Sequence, residues 1–297
     1  MIIVKLSGGL GNQMFQYACG RALARKFSVP LKLDHSFLED KSKTGITLRD
    51  YELYAFGIDK KINKAELSAL GLDSATTSPY KTLFSVKRLL SGYKFYIEKG
   101  LAFNDELFKQ GPKGYILGYF QNEKYFRDIQ ENIRKDFTFI SSASEKNIQL
   151  ANRIKNAENA VSVHVRRGDF LSFGNDKIHS TCEPSYYMNA IAMIKNKISN
   201  PVFFIFATDD PQWAEDNIKI DGPFELIGKQ NAAAGYEDMR LMSMCKHHII
   251  ANSSFSWWAA WLNPNPDKIV VTPKYWAAKP QLQAQLSDII PENWMPI

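Results

Sequence analysis

The 297-residue sequence is poor in cysteine: Cys19, Cys182 and Cys245 are all it has. An odd number at spacings no metal cluster uses excludes a complete disulfide framework and a cysteine-ligated zinc site. It points instead to ordinary thiols in a reducing compartment. No run approaches the roughly 20 apolar residues needed to span a bilayer. The opening MIIVKLSGGLGNQ has a short strand pattern where an export leader would carry a basic stretch and a long apolar core. No signal or anchor is legible, so a cytoplasmic enzyme is expected. Internal repeats, coiled-coil heptads and long low-complexity linkers are missing too. Neither sign of charge dominates: the net charge of +6 is modest for the length and spread along the chain. That balance does not choose between nucleic acid, an anionic membrane and anionic substrates. The basic residues form no stripe and the aromatics no stacking motif, which argues against a nucleic-acid-binding module.

What is present is material for a large core, with 45% hydrophobic and 23% charged residues, enough for one large domain or two of ordinary size. The pattern reads as two α/β units, residues 1–155 and 156–297. In the first, Ile2 to Leu6 is a strand, Ser7 to Gly11 a glycine-rich turn, and Gln13 to Phe27 a helix with apolar residues at helical spacing. Val29 to Leu33 reads as a second strand. The stretch from Asp34 to Lys113 has scattered aromatics and no clear order. Gly114 to Phe120 is expected as a strand and Glu123 to Phe137 as a helix.

The second unit has a steadier rhythm. Helices are expected at Ser144 to Lys155, Pro184 to Lys197, Pro211 to Ile218, Gly235 to Met244 and Ser254 to Leu262. Strands are expected at Ala160 to Val165, Val202 to Thr208, Phe224 to Ile227, His248 to Ala251 and Lys268 to Pro273. Such alternation predicts parallel sheets covered by helices, with ligands beyond the carboxyl ends of the strands.

Four loops meet that expectation. In SGGLGNQ, Gly8, Gly9 and Gly11 sit where strand turns into helix, so backbone and free N–H groups can approach an oxygen-rich ligand. The loop has neither the full G-x-G-x-x-G pattern nor a G-K-[ST] ending. Asn12 is the candidate inside the cleft, and Gln13 serves as a helix cap. In VSVHVRRGDF, strand alternation sends His164 and Arg166 to one side, Val165 and Arg167 to the other. Arginine offers a fixed fork of donors that matches phosphate or carboxylate, so Arg166 ranks first as an anion clamp. Arg167 and Asp169 are equally readable as an internal pair.

In FFIFATDDP, Asp209 and Asp210 can accept from a ribose or base edge, or cap the helix that follows. As adjacent carboxylates they supply few ligands for a divalent ion, and no histidine is spaced to join them. In IIANSSFSWWAAWLNP, Ser253 and Ser254 stand at a helix start suited to phosphate. Trp257 and Trp261, four residues apart, read as helix-to-sheet packing.

Taken together, GGLGNQMFQYACGRALA, VSVHVRRGDF, FFIFATDDPQWAEDN and ANSSFSWWAAWLN resemble the α-1,2-fucosyltransferase family, across nearly the whole chain from Leu6 to Pro273. Those enzymes move L-fucose from GDP-fucose to the 2-hydroxyl of a terminal galactose with inversion. The resemblance implies two Rossmann-like domains facing across a cleft, the GT-B type of glycosyltransferase fold. The first would lie on the acceptor side and the second would hold GDP-fucose, with the C-terminal helix able to pack back on the first. It implies that Arg166 holds the β-phosphate as GDP leaves and that His164 lies against the nucleotide. Asp209 would read guanosine, Ser253, Ser254 and Phe255 would form the phosphate-binding turn, and Asn12 would be the cleft asparagine. It also implies transfer without a metal or other cofactor.

The acceptor base is not identified by the residues. Asp169 is a candidate if its side chain turns inward. The expected partners are GDP-fucose and a galactose-terminated glycan, lipid-linked if the enzyme works before export. A basic face would then hold it loosely at an anionic membrane. No nucleic acid is expected, and the oligomeric state is not readable. Another GDP-sugar transferase, or a fucosyltransferase of different linkage, would share almost the same donor site.

Overall fold

A computed structural model of the chain describes residues 1–42, 47–59, 65, 92–167, 181–207, 209–228, 235–277 and 279–297. Two compact units divide it, Met1–Ile140 and Ser141–Ile297. Each is built on its own parallel sheet, the α/β class the strand and helix rhythm predicted.

The first unit has strands β1 (Ile2–Lys5), β2 (Leu31–Asp34), β3 (Lys94–Ile97) and β4 (Gly114–Leu117), in the order β2-β1-β4-β3. Parallel pairing needs a crossover, and helix α1 (Leu10–Lys26) supplies the first. The helix is buried almost all round, and Gly20 lets it sit on β1, because a Cβ there would come 2.2 Å from Val4 Cγ2. A short helix α2 (Ser36–Glu39) follows β2.

The strand expected to reach Phe120 stops at Leu117, because the chain turns at Gly118 and Phe120 takes a left-handed conformation, φ 52°. The helix expected over Glu123 to Phe137 is broken into two 3₁₀ turns and α3 (Gln130–Asp136). Phe126, at φ −136°, makes the break, and it lies buried beside Tyr125. Burial of the two rings prevails over helical continuity.

The second unit contains α4 (Glu145–Asn156), β5 (Asn159–His164), α5 (Pro184–Lys197), β6 (Pro201–Phe206), α6 (Pro211–Asn217), β7 (Phe224–Ile227) and α7 (Tyr236–Ser243). Then come β8 (His247–Ile249), α8 (Ser254–Leu262), β9 (Val270–Thr272), α9 (Pro280–Gln285) and β10 (Met295–Pro296). The helix starts are written in the sequence: Ser144, Asp210 and Ser253 cap α4, α6 and α8, and prolines open α5, α6 and α9. The division falls at Ile140/Ser141 rather than at 155/156, because α4 belongs with the second unit: Asn147 on α4 donates to Glu237 of α7 at 2.9 Å. The last strand, β10, pairs with β9 and so extends the second sheet.

Strand order in this sheet is β10-β9-β8-β5-β6-β7. From β5 the chain winds outward through β6 and β7, then returns to the other side of β5 for β8, β9 and β10. The direction reverses between β5 and β8, where a crevice opens at the carboxyl ends of doubly wound sheets. Strand β5 is covered on both faces, as a central parallel strand must be. Val161, Val163 and Val165 share a core cluster with Tyr187, Ala190, Ile191 and Ile194 of α5. The alternate residues Ser162 and His164 point to the other face. There Ser162 Oγ lies 2.8 Å from His248 Nδ1, and His248 Nε2 2.8 Å from Asn263 Nδ2. Serine, histidine and asparagine in a chain suggest a nucleophile triad, but Ser162 and His248 are fully buried in the sheet. The chain is a structural tie between neighbouring strands.

Candidate active site

At the switch point of the second sheet, three loops converge. From β5 come His164, Arg166 and Arg167; from β6, Asp209 and Asp210; from β8, Asn252 to Phe255. The alternation expected from sequence holds. His164 faces α8, its ring 5.6 Å from that of Phe255, while Val165 faces the α5 core.

Arg166 Nη1 lies 3.3 Å from Asp209 Oδ2, and the Arg167 N–H donates to the same oxygen at 3.1 Å. Asp209 thus binds the mouth of β5 to the mouth of β6. Its neighbour Asp210 takes the other role left open by the sequence, capping α6 by accepting from the Trp213 N–H at 3.2 Å. Arg167 turns away from Arg166. Its guanidinium carbon stands 4.0 Å from the Trp213 ring centre, and Nε is 3.7 Å from Asp210 Oδ2. Asp169, the partner expected for Arg167 and a candidate base, lies outside the described residues.

His164 is buried, and burial, with Arg166 beside it, depresses its pKa to about 3. The imidazole is therefore neutral at any working pH. Its Nδ1 has no hydrogen-bond partner among the described residues. Ser253 caps α8 by accepting from the Phe255 N–H at 3.3 Å, and Ser253, Ser254 and Phe255 are half-buried at the helix start. Behind them Asn252 is buried, donating to the Trp276 carbonyl at 3.3 Å. The tryptophans of α8 are buried, Trp257 and Trp261 sharing a face as their spacing implied: they stack at 6.2 Å, and Trp257 Nε1 donates to the Ile289 carbonyl at 2.7 Å. Among the described residues no group of three or more His, Cys, Asp or Glu side chains is gathered as a metal would require.

The first unit has a strand-end mouth of its own, between β1 and β4. Gly8 adopts φ 75°, and a Cβ there would come 2.4 Å from Asn12 Nδ2, so a side chain at this position would be strained and would push Asn12 aside. Asn12 Oδ1 accepts from Gln121 Nε2, in the turn after β4, at 2.8 Å. Gln13 does more than cap: Nε2 donates to the Gly8 and Asp50 carbonyls, and Oε1 accepts from the Glu52 N–H at 2.9 Å. Gln16 ties Ser7 to the Gly118 carbonyl.

Sequence reasoning missed Gln121, Gln16 and Trp213. Two glutamines three residues apart on a helix otherwise buried were the available signal, since buried amides must find partners. A depression of about 710 Å³ elsewhere in this unit, lined by Arg25, Lys26, Phe103, Phe108 and Tyr125, shares no residue with the strand-end loops.

The whole chain, residues 1–297, matches the model of glycosyl transferase family 11. The chain belongs to that family. A relative from Escherichia coli, an alpha-1,2-colitosyltransferase, is 32% identical over 314 aligned residues, covering 100% of this chain and 99% of its own. A second from the same organism, the O-antigen biosynthesis glycosyltransferase WbnK, is 34% identical over 291 residues, covering 92% and 94%. The human galactoside alpha-(1,2)-fucosyltransferase 1 is 27% identical over 146 residues, 46% of this chain and 40% of its own. A crystal structure of the fucosyltransferase NodZ from Bradyrhizobium aligns at TM-score 0.45 and 14% identity, covering 89% and 92%. Family 11 is the family that the four sequence motifs resembled, and the protein is a glycosyltransferase. No helix among the described residues is long and apolar enough to cross a membrane.

Proposed function

We propose that this family 11 enzyme transfers L-fucose from GDP-fucose to the 2-hydroxyl of a terminal galactose in a surface oligosaccharide, with inversion and without a metal ion. The observation that carries the reading is the guanidinium of Arg166, set by Asp209 at the switch point beside the Ser253–Phe255 helix start. Breaking the fucosyl C1–O bond sends its electron pair to the diphosphate, whose charge grows as the sugar becomes positive. Donors already aimed at that diphosphate stabilise the transition state more than the bound substrate. A guanidinium has five N–H donors in a fork, so pairing with Asp209 through Nη1 is compatible with a second anion. Asp209 then orients Arg166. His164 and Phe255 supply a flat, uncharged wall for the nucleotide.

The acceptor O2 attacks C1 from the face opposite the leaving group, which gives inversion, and loses its proton late. Asp169 is the candidate to receive that proton, and water is the alternative. The first unit, with Asn12 at its mouth, is assigned to the acceptor. A lipid-linked acceptor at the inner face of the cytoplasmic membrane suits a net charge of +6. Flotation with anionic liposomes at moderate salt tests that placement; absence from the lipid fraction argues for an unattached enzyme.

One observation favours a second donor. The full-length relative named for colitose shares the α-1,2 linkage but not the sugar. The deciding experiment is incubation with GDP-fucose, and separately with an activated colitose, against a panel of β-galactosides, followed by linkage analysis. The reading predicts fucose at galactose O2. A product at O3, O4 or O6 overturns the linkage, and transfer of colitose alone overturns the donor.

A further inference from the structure

Glu98, one residue past the end of β3, lies under the turn that follows β4. Its Oε2 accepts from the Tyr119 N–H at 2.7 Å and from the Phe120 N–H at 3.2 Å, while Oε1 accepts from the Phe120 N–H at 3.1 Å. The turn needs this support, since Phe120 is held left-handed, at φ 52°, a conformation a bulky side chain rarely takes. The fit is close. A Cβ on Gly118 would come 2.4 Å from Glu98 Cβ and 2.6 Å from Oε2. The next residue, Gln121, is the one whose amide donates to Asn12 at 2.8 Å. A hydrogen-bonded path therefore runs from Glu98 through the turn to the asparagine at the mouth of the first sheet.

We propose that Glu98 is a positioning residue for the acceptor: by accepting from the Tyr119 and Phe120 N–H groups it fixes the Gly118–Gln121 turn, and through Gln121 the amide of Asn12. This rests on the assignment of the first unit to the acceptor. A general base is the other role open to a half-buried carboxyl, but both oxygens are already engaged by backbone N–H groups of the turn. Protonation on Oε1 keeps the arrangement, because Oε2 still accepts from both N–H groups.

Burial raises the Glu98 pKa to about 7, overcoming the two backbone donors that favour the charged form. The titratable groups that interact with it are Cys19 of α1, Tyr96 of β3, Tyr119 of the turn and Tyr125 beyond it. Each of these has its own pKa pushed upward by burial, so all four are neutral where Glu98 titrates. Ionisation therefore costs more in the formed turn than in solvent, so the turn is firmest with Glu98 protonated and loosens as pH rises through 7.

Glu98→Gln is the test, because glutamine imitates the protonated acid in shape. In the wild type, KM for the galactoside should rise about fivefold as pH rises from 6 to 8.5. In the variant it should stay at the low-pH value throughout, with kcat within about threefold and donor KM unmoved. Hydrogen–deuterium exchange of the segment 115–122, which needs no substrate, should show wild-type protection falling over the same range and the variant remaining protected. A hundredfold loss of kcat at unchanged acceptor KM would make Glu98 a base and overturn the proposal. Equal exchange in both proteins at pH 8.5 would overturn it as well. If the wild type transfers no sugar to galactosides, the functional reading fails by itself, and the exchange measurement still decides whether Glu98 holds the turn.

Discussion

Arg166 and Asp209 are joined across the ends of β5 and β6, Nη1 lying 3.3 Å from Oδ2. The pair holds a guanidinium at the switch point in one orientation, where a departing diphosphate would gain charge. Arg166→Ala should therefore depress turnover by about 100-fold or more, roughly 3 kcal/mol of transition-state stabilisation. Lysine should restore only part, since it returns the charge without the fork. Steady-state kinetics beside a thermal melt of each variant make the check. Near-normal turnover in a folded Arg166→Ala enzyme would leave the Ser253–Phe255 turn as the main phosphate holder.

Arg167, its neighbour in sequence, is held by other forces. Its guanidinium lies on Trp213 and near Asp210, and its Nε has no hydrogen-bond partner among the described residues. A partly buried cation over an indole contributes about 1–2 kcal/mol. Arg167→Ala should therefore lower stability by about that amount while reducing turnover less than tenfold, since the backbone N–H that binds Asp209 remains. A double-mutant cycle with Trp213→Ala, read by denaturant unfolding, should return a coupling near 1 kcal/mol. A coupling of zero would mean that the stack contributes nothing.

The second unit was legible because its sequence repeats local signals that agree with one another. Pro184, Pro211, Ser144, Asp210 and Ser253 mark helix starts, and VSVHV alternates as a strand whose two faces meet different helices. Arg166 and His164 could be placed at a strand end for the same reason. The roles of Asp209 and Asp210 could not be separated, because adjacent carboxylates before a proline carry identical local signals and only the third dimension decides which one turns to Arg166. Glu98 and Gln121 were invisible for a different reason. Strand β3 has four residues, lies in a long stretch of scattered aromatics without a clear helix or strand rhythm, and gains meaning only when paired with β4. The 123–137 segment misled because helix propensity was read without the buried Tyr125 and Phe126.

The same partners bear on metal dependence. Asp209 is engaged by Arg166 and the Arg167 N–H, and Asp210 by the start of α6. The charge on a diphosphate can be met by Arg166 and the N–H groups opening α8. Transfer should persist in excess chelator, with at most a modest rise on adding Mg²⁺. Loss of nearly all activity, restored only by a divalent ion, would instead make Asp209 and Asp210 ligands.

Stability should depend on pH in one sense at the buried histidines and in the opposite sense at Glu98. His164 has its pKa lowered to about 3, and His248, fully buried between Ser162 and Asn263, is also held well below the ordinary value. A base with a depressed folded pKa stays neutral while the unfolded chain takes up a proton. Stability is therefore whole above about pH 6.5 and is lost as pH falls, by up to roughly 1.4 kcal/mol per pH unit for each histidine. Glu98 behaves oppositely, since its folded pKa is raised from 4.5 to about 7: its contribution is whole below 4.5 and lost as pH rises through 7. Denaturant unfolding at pH 5, 6 and 8 of the wild type, His164→Phe and Glu98→Gln separates the two. The phenylalanine variant should lose stability less steeply between pH 6 and 5, by about one proton's worth of slope, and should match the wild-type slope above 7. The glutamine variant should gain on the wild type between pH 6 and 8. An unchanged acid slope in His164→Phe would mean that the imidazole is not held neutral, and with it would go the uncharged wall proposed for the nucleotide.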